Sequence, residues 1–536
     1  MPILDWLNKD KAVKTAQQVQ YRLLQPVSEL SVGQDPGNML IQGDNLEALK
    51  SLLPLYAGKV KCIYIDPPFN TEQAFEYYDD NLEHSVWLSM IYPRFELLRE
   101  LLSEDGTIFV HIDDNELGYL LTVLDEIFGR SNKTHVVAFK QGSATGHKAI
   151  NPGMVNTCNF ILSYAKDKNK WYPNRVFTER ARDDRYNQFI DNFDAPYSEW
   201  KLKPLSEAFA EFVGFPKNKV KKELGNGYES KITEFVTKNA HRVVQSVRPD
   251  YSNVGEEVRR SIDESKMNPE SVVFLERENN IDMYFKGGQR WIFYREKMKF
   301  VDGELVTGEP LTTLWADVLS NNLHKEGDVV FPKGKKPEAL IKRIFELSTN
   351  ENDLVLDSFL GSGTTAAVAH KMNRRYIGIE MGDHAVSHCQ PRLQKVIDGE
   401  QGGISKAVSW QGGGGFSFYR LGEPVFDEYG HIRDGVSFAA FAQYLWFLET
   451  GTPLTTKPDS PFLGVHNGKG YYLLYNGILG DRRPQGGNVL TSPILANLPG
   501  FDGPRVIFGE SSRLGDARLK REAITFRQIP YQVTYR

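Results

Sequence analysis

Hydrophobic positions in the first 170 residues fall into two alternating periods. Short apolar runs, "NMLIQ" (38–42), "VKCIYI" (60–65) and "GTIFVHI" (106–112), read as buried strands. Between them the spacing turns helical, from about Asn45 to Leu53, about Ser85 to Leu102 and about Asn115 to Phe128. In the second of these helices Ile91, Phe95, Leu98 and Leu102 share a face, and Pro93 is the expected kink. Residues 10–30 read as a helix followed by a polar approach. Strands separated by helices of this length predict a parallel sheet covered on both faces.

The alternation lapses after "NFILSYAKD" (159–167), where charges and aromatics mix without a clear period, as in "KGGQRWIFYREKMKF". It resumes with a helix from about Pro337 to Leu347, a strand "DLVLD" (353–357), a helix from near Thr364, a strand "RYIGIE" (375–380) and a helix toward Val396. One α/β domain interrupted by an insertion is therefore expected. The boundaries are an N-terminal helical segment 1–37, a first half 38–167, an insertion 168–320 and a second half 321–400. A glycine-rich link 401–416, containing "SWQGGGGF", then leads to a small mixed C-terminal domain 417–536 with runs such as "GYYLLYNGIL". A chain of 536 residues has room for several such units.

Composition changes this picture little. Hydrophobic residues at 40% and charged residues at 25% are those of an ordinary globular protein. A net charge of -5 does not exclude a polyanionic partner, because binding needs a local basic surface and not a basic average. Cys62, Cys158 and Cys389 are far apart and form no C-x-x-C pair, which argues against a disulfide framework or a zinc knuckle and fits a cytoplasmic location. The N-terminal "MPILDWLNKDKAVK" has no signal-like apolar core, and no long apolar run predicts a membrane span.

Three stretches carry chemistry. In "IYIDPPFNT" (63–71) a buried strand ends in a carboxylate, Asp66, then Pro67, Pro68 and Phe69. Prolines fix φ and lack N–H, so this turn offers stiffly aimed acceptors beside an aromatic face. In "VLDSFLGSGTTAAVAH" (355–370) a strand ends at Asp357 and passes through Gly361 and Gly363 into a helix, a turn that lets backbone approach a ligand closely. Such turns also exist for geometry alone. The next strand ends at Glu380, about 20 residues on, where a carboxylate can take ribose hydroxyls or simply cap a helix. No lysine follows the glycines, so a triphosphate is disfavoured. Asp113 or Asp114 in "HIDDNE" (111–116) is expected to cap the following helix, in preference to holding a metal.

Together, "DPPFNT" and "DSFLGSGTT" resemble the DNA amino-methyltransferases, in which a D/N/S-P-P-Y/F motif is catalytic and F-x-G-x-G binds S-adenosylmethionine. With the catalytic motif first, the cofactor motif last and a long insertion between, the order resembles the permuted β group. More narrowly, "QGDNLEALKSLLPLYAGKVKCIYIDPPFNT", "GTIFVHIDDNE" and "SWQGGGGFSFYRLG" resemble the modification subunits of type III restriction-modification systems. The likeness is close over about 38–165 and 325–420 and thin elsewhere.

The resemblance implies a permuted Rossmann-like S-adenosylmethionine-dependent methyltransferase sheet, an inserted target-recognition domain and a small C-terminal domain. It implies adenine-N6 methylation of double-stranded DNA by base flipping, with Asp66, Pro67, Pro68 and Phe69 catalytic. Phe69 stands where tyrosine is commoner, and stacking needs only the ring. It further implies that Asp357, Phe359, Gly361 and Gly363 line the cofactor, that Glu380 holds its ribose and that Asp44 lies near its adenine. Asp44 is equally natural as a helix N-cap. Lys336, in "KGKKPEAL" (333–340), is the candidate for the cofactor carboxylate, with a solvated lysine as the alternative. Implied partners are duplex DNA, a second copy in a homodimer and a separate helicase-nuclease restriction subunit, with no membrane. Lys217, Lys219, Lys221 and Lys222 in the insertion are candidate phosphate contacts, or a solvated loop. The alternatives are a stand-alone amino-methyltransferase, acting on adenine N6 or cytosine N4, and an enzyme acting on RNA or a small molecule. Cytosine C5 chemistry is disfavoured because no cysteine follows a proline.

Overall fold

The computed structural model describes residues 3–34, 37–70, 83–142, 153–278, 280–318, 323–329, 335–427, 432–433, 435–477 and 483–529. Thr71 of the proline motif and Lys333 and Gly334 of "KGKKPEAL" lie outside them. The chain divides into one unit of Met1–Asn174 with Thr312–Arg536 and a second of Arg175–Leu311.

The first unit is built on an eleven-stranded sheet. Its strands are β1 (Arg22–Pro26), β2 (Met39–Gln42), β3 (Val60–Ile65), β4 (Leu102–Ile112), β5 (Lys133–Lys140), β6 (Cys158–Ala165), β7 (Leu314–Trp315), β8 (Leu354–Asp357), β9 (Arg375–Glu380) and β10 (Gly415–Pro424). They lie in the order β1-β10-β2-β9-β8-β3-β4-β6-β5-β7, and Val32–Gly33 pairs with β10. Strands β10 through β4 run parallel, as the strand and helix alternation predicts. The sheet is not wholly parallel, however. β6 is antiparallel to both β4 and β5, because β5 and β6 are sequence neighbours paired as a ribbon.

Helices α1 (Lys9–Gln18), α2 (Asn45–Tyr56) and α3 (His84–Leu101) pack together. Leu49 and Leu52 of α2 and Trp87, Ile91, Phe95 and Leu98 of α3 form one core with Ile63, Ile65, Leu354, Leu356, Ile377 and Ile379. Side chains alternate along a strand, so Val355 and Tyr376 point to the opposite face. There α5 (Glu338–Ser348) packs on β3, β4 and α6 (Thr364–Lys371), with α7 (Gln390–Ile397) against α6. Pro93 lies inside α3, and α4 (Leu117–Leu124) is shorter than its apolar pattern because a wider turn, Asp125–Gly129, follows.

Two expected boundaries move. The N-terminal segment carries β1 as well as a helix. The glycine-rich stretch 401–416 runs into β10, which lies parallel to β2 with Arg420 opposite Gln42, so a boundary at 416/417 would cut a strand of the large sheet. The glycines serve close packing: a Cβ on Gly415 would stand 2.5 Å from the carbonyl oxygens of Val32 and Gln34. Beyond β10, helix α8 (Phe438–Thr450) packs on α2, and Tyr444, Trp446, Tyr471 and Tyr475 share a core with Tyr21. Strands Phe462–His466, Lys469–Leu473, Arg505–Gly509 and Ile524–Gln528 form a separate sheet whose last three members are parallel.

The second unit has a six-stranded antiparallel sheet and a three-stranded one. Many of its aromatics are core, while Tyr197, Phe212, Phe215, Tyr251 and Phe300 are exposed. Trp200 stacks on Phe193 and Tyr284 at 4.9 and 5.4 Å, and Phe189 on Phe235 at 5.7 Å. Lys219 precedes the helix Val220–Leu224, which carries Lys221 and Lys222, while Lys217 pairs with Glu207 at 2.8 Å. Among the described residues no helix is long and apolar enough to cross a membrane.

Candidate functional site

Four neighbouring parallel strands, β2, β9, β8 and β3, end in the residues singled out by sequence: Asp44 two residues past β2, Glu380 closing β9, Asp357 closing β8 and Asp66 directly after β3. The carboxyl ends of strands in an open parallel sheet are where ligands bind, because the loops there diverge and leave a crevice.

The turn after β8 is held by its own acids. Asp357 accepts hydrogen bonds from the Phe359 N–H (2.9 Å) and the Thr365 hydroxyl (2.6 Å), while Glu380 accepts from the Gly361 N–H (2.7 Å). Burial, only partly offset by those hydrogen bonds and reinforced by the charges of Asp66 and Glu380, pushes the Asp357 carboxyl up to about 7. Gly361 and Gly363 adopt φ of +57° and +82°, the left-handed region that glycine enters without strain. A Cβ on Gly361 would meet only the Phe359 carbonyl, at 4.0 Å, so the space beside the turn is open. The Ser358 hydroxyl is buried without a hydrogen-bond partner among the described residues. An open cradle, an unsatisfied hydroxyl and two carboxylates fit the hydroxyl- and amine-rich S-adenosyl group that the sequence implied.

The proline turn is braced from three sides. Trp87, fully buried on α3, donates its indole N–H to the Pro68 carbonyl at 2.9 Å. Asn70, at φ +59°, donates to Glu116 at 2.9 Å, and the same oxygen of Glu116 lies 2.9 Å from His84 Nδ1. The Phe69 ring lies 5.6 Å from the His111 ring, which is buried on β4 and hydrogen-bonded to Tyr64 (3.0 Å) and Asn159 (3.2 Å). Burial, aided by the charge of Lys336, holds His111 well below the usual imidazole range, so it is neutral. His111, Glu116 and Trp87 were not foreseen as parts of the site. The one signal for His111 was a polar residue inside the apolar run "IFVHI".

Lys336 reaches the proline turn itself. Its ammonium forms an ion pair with Asp66 and lies 5.2 Å from the centre of the Phe69 ring. Asp44 is the N-cap of α2, accepting from the Leu46 (2.8 Å) and Glu47 (3.3 Å) N–H groups, and pairs with Arg94 at 3.2 Å. Asp113 and Asp114 do not cap a helix as expected. α4 starts at Leu117, and Asp113 instead closes a turn by accepting from the backbone and side chain of Asn115. No group of three or more His, Cys, Asp or Glu among the described residues is placed to hold a metal.

A buried charge cluster joins the glycine turn to the segment that carries Lys336. Arg392 on α7 donates to the Thr364 hydroxyl (2.7 Å) and Ser362 carbonyl (3.3 Å), and to Glu338 at 2.8 Å; Glu338 also pairs with Lys371 at 2.9 Å. All three charged side chains are fully buried. Burial opposes the Glu338 carboxylate, yet Arg392 and Lys371 together outweigh it and hold it below the usual range. Lys371 keeps Glu400 at 2.7 Å, but replacing Glu338 with alanine would take from buried Arg392 its carboxylate, and a loss of about 3–5 kcal/mol in unfolding free energy is expected by urea denaturation. A change under about 1 kcal/mol would mean that the cluster is solvated in solution.

Residues 60–390 match the N6/N4 methyltransferase family model described as DNA methylase. The chain is 36% identical over 419 residues to the probable type III restriction-modification enzyme HindVI Mod subunit of Haemophilus influenzae, covering 73% of this chain and 55% of that protein. It is 29% identical over 408 residues to the StyLTI Mod subunit of Salmonella typhimurium, covering 69% and 56%. The chain thus spans little more than half the length of these relatives. The crystal structure of the M1.HpyAVI–SAM complex overlaps 66% of this chain and 98% of its own at 14% identity with a TM-score of 0.31, too slight a likeness to argue from.

Proposed function

The chain belongs to the N6/N4 DNA methylase family, and from that premise we propose that it transfers a methyl group from S-adenosylmethionine to adenine N6 in duplex DNA. In this reading it is the modification and recognition subunit of a type III restriction-modification system. The observation that carries the reading is the adjacency of β3 and β8. It sets the Asp66–Phe69 turn beside the Asp357–Gly363 turn, as a methyl donor and an acceptor amine must be.

An exocyclic amine is a poor nucleophile because its lone pair is delocalised into the ring. Asp66 and the Pro67 carbonyl accept hydrogen bonds from its two N–H groups and draw the nitrogen toward a tetrahedral shape; the one proton the amine loses on methylation leaves to water. Trp87, on the Pro68 carbonyl, and Glu116, on Asn70, brace the turn that carries those acceptors, which is where positioning and fixed dipoles lower a barrier. Phe69 gives the extruded base a face to stack on, since the amine is out of reach within a duplex. Lys336 pairs with Asp66 and, in this reading, would be the cation that the cofactor carboxylate meets. When bound, the cofactor supplies an electrophilic sulfonium methyl. Asp357, Phe359, Gly361, Gly363 and Glu380 would hold it, with Asp44 toward its adenine.

The second unit, Arg175–Leu311, reads the target sequence in this proposal, with Lys219, Lys221 and Lys222 against phosphates. The partners are duplex DNA, a second copy of the chain and a separate helicase-nuclease. Mass spectrometry of digested DNA after incubation with S-adenosylmethionine is expected to show N6-methyladenine. N4-methylcytosine instead would overturn the choice of base, and no methylated base would overturn the activity.

The Asp357 carboxyl sets a pH dependence. Its folded value of about 7 lies above the usual 3.8, so its contribution to stability is fully present below about pH 4 and is lost as pH rises through 7. A cationic aminoalkyl group favours the ionised form, so cofactor affinity is expected to rise between about pH 6 and 8 and then level off. Titration calorimetry across that range checks this. Asp357→Asn should bind more weakly and with a flat profile, and a wild-type profile without slope would remove Asp357 from the cofactor site.

A further inference from the structure

We propose that Arg420 and Leu421, on β10, flank the adenine ring of the cofactor. This rests on the cofactor reading above. Both residues lie outside the matched family region, 60–390. The sheet order places them. Moving outward from the site, the carboxyl ends run β8, β9, β2, β10, with Asp357 on the first and Glu380 on the second. A nucleoside whose ribose lies on Glu380 and whose amino-acid limb runs toward Asp357 has its base on the far side of the sugar, over the end of β2. The two ends are close: the Gly43 N–H donates to the Glu380 carbonyl at 3.1 Å.

A shallow depression of about 480 Å³, largely open to solvent, lies at that point, lined by Gly43, Asp44, Glu47, Arg22, Arg420 and Leu421. Because Arg420 is opposite Gln42 in the parallel ladder, Leu421 falls level with Gly43. A Cβ on Gly43 would stand 2.4 Å from Leu421 Cδ1, so the leucine lies directly on that backbone and forms an apolar floor. Arg420 is exposed, and its Nε donates to Gln42 Oε1 at 3.0 Å, which steadies the guanidinium. A planar, weakly hydrated cation stacks on an aromatic face, whereas an ammonium has no such plane. Asp44 lines the same depression, its Oδ1 capping α2 and its Oδ2 on Arg94 at 3.2 Å, and the lone pairs those bonds leave can accept from an exocyclic amine.

The test compares S-adenosylhomocysteine with S-ribosylhomocysteine, which keeps the sugar and the amino acid but lacks the base. Calorimetry and competition titration are run on the full chain and on Arg420→Ala and Arg420→Lys. Because Arg420 is exposed, both variants should keep the wild-type melting temperature. Arg420→Ala is expected to bind S-adenosylhomocysteine roughly fivefold more weakly, the size of a partly exposed cation–π contact. Its affinity for S-ribosylhomocysteine should be unchanged, and Arg420→Lys should show most of the loss despite keeping the charge. Wild-type affinity for S-adenosylhomocysteine in Arg420→Ala would overturn the proposal, as would equal weakening for both ligands. Failure of the wild-type chain to bind S-adenosylhomocysteine would instead overturn the cofactor reading on which it rests.

Discussion

Replacing Asp66 with alanine is expected to slow methyl transfer by at least about a hundredfold while leaving cofactor affinity within about twofold of wild type. The carboxylate follows β3, whereas the residues assigned to the cofactor close β8 and β9. Asp66 is assigned to the acceptor amine, so its loss should appear in the chemical step. The ion pair with Lys336 sharpens the expectation. Removing Asp66 frees that lysine, so cofactor affinity should hold or improve slightly. Asp66→Asn, which keeps an acceptor oxygen but loses the charge, should fall between the two. Initial rates of labelled-methyl incorporation, with titration calorimetry for the cofactor, distinguish the roles. Parallel loss of rate and cofactor affinity would place Asp66 in the cofactor site, and a near wild-type rate would remove it from catalysis.

Deleting Arg175–Leu311 and joining Asn174 to Thr312 through a glycine–serine linker is expected to abolish sequence selectivity. At least about a thousandfold preference for the proper site, the lower end of the usual gap between specific and non-specific DNA binding, should disappear. Cofactor affinity should persist. Asp66, Lys336, Asp357, Gly361 and Glu380 all belong to the first unit, and the second has its own hydrophobic clusters, so removing it takes no core residue from the large sheet. Gel-shift titration with cognate and scrambled duplexes, alongside cofactor calorimetry, measures both. A deleted chain that binds cofactor and still methylates one sequence selectively would move recognition to the C-terminal region.

Much of the site was legible where chemistry and local period coincide. "VKCIYI" and "RYIGIE" are strands to the residue, because an unbroken apolar run ended by a carboxylate is both a buried strand and the point where it leaves the core. The glycine turn was legible because positive φ leaves a mark in composition. Asp44 was readable as an N-cap for the same reason, since a cap bonds within three residues. The proposed DNA-methylating function rests on the pairing of two motifs, and the family match covers both of them.

The sequence by itself determined the interrupted α/β order, the strand ends that carry the acids and the family. Each is written in spacings of a few residues. Tertiary structure decided the rest. Lys336 reaches Asp66 across 270 positions of chain, and Arg392 reaches Glu338 across 54. The glycine-rich stretch that reads as a link enters the large sheet as β10, setting Arg420 and Leu421 beside Gly43. No local pattern encodes such contacts, because the period of a segment records which face is buried and not what it is buried against. Only the strand order, closed by the packing of helices on both faces, brings those side chains within hydrogen-bonding distance.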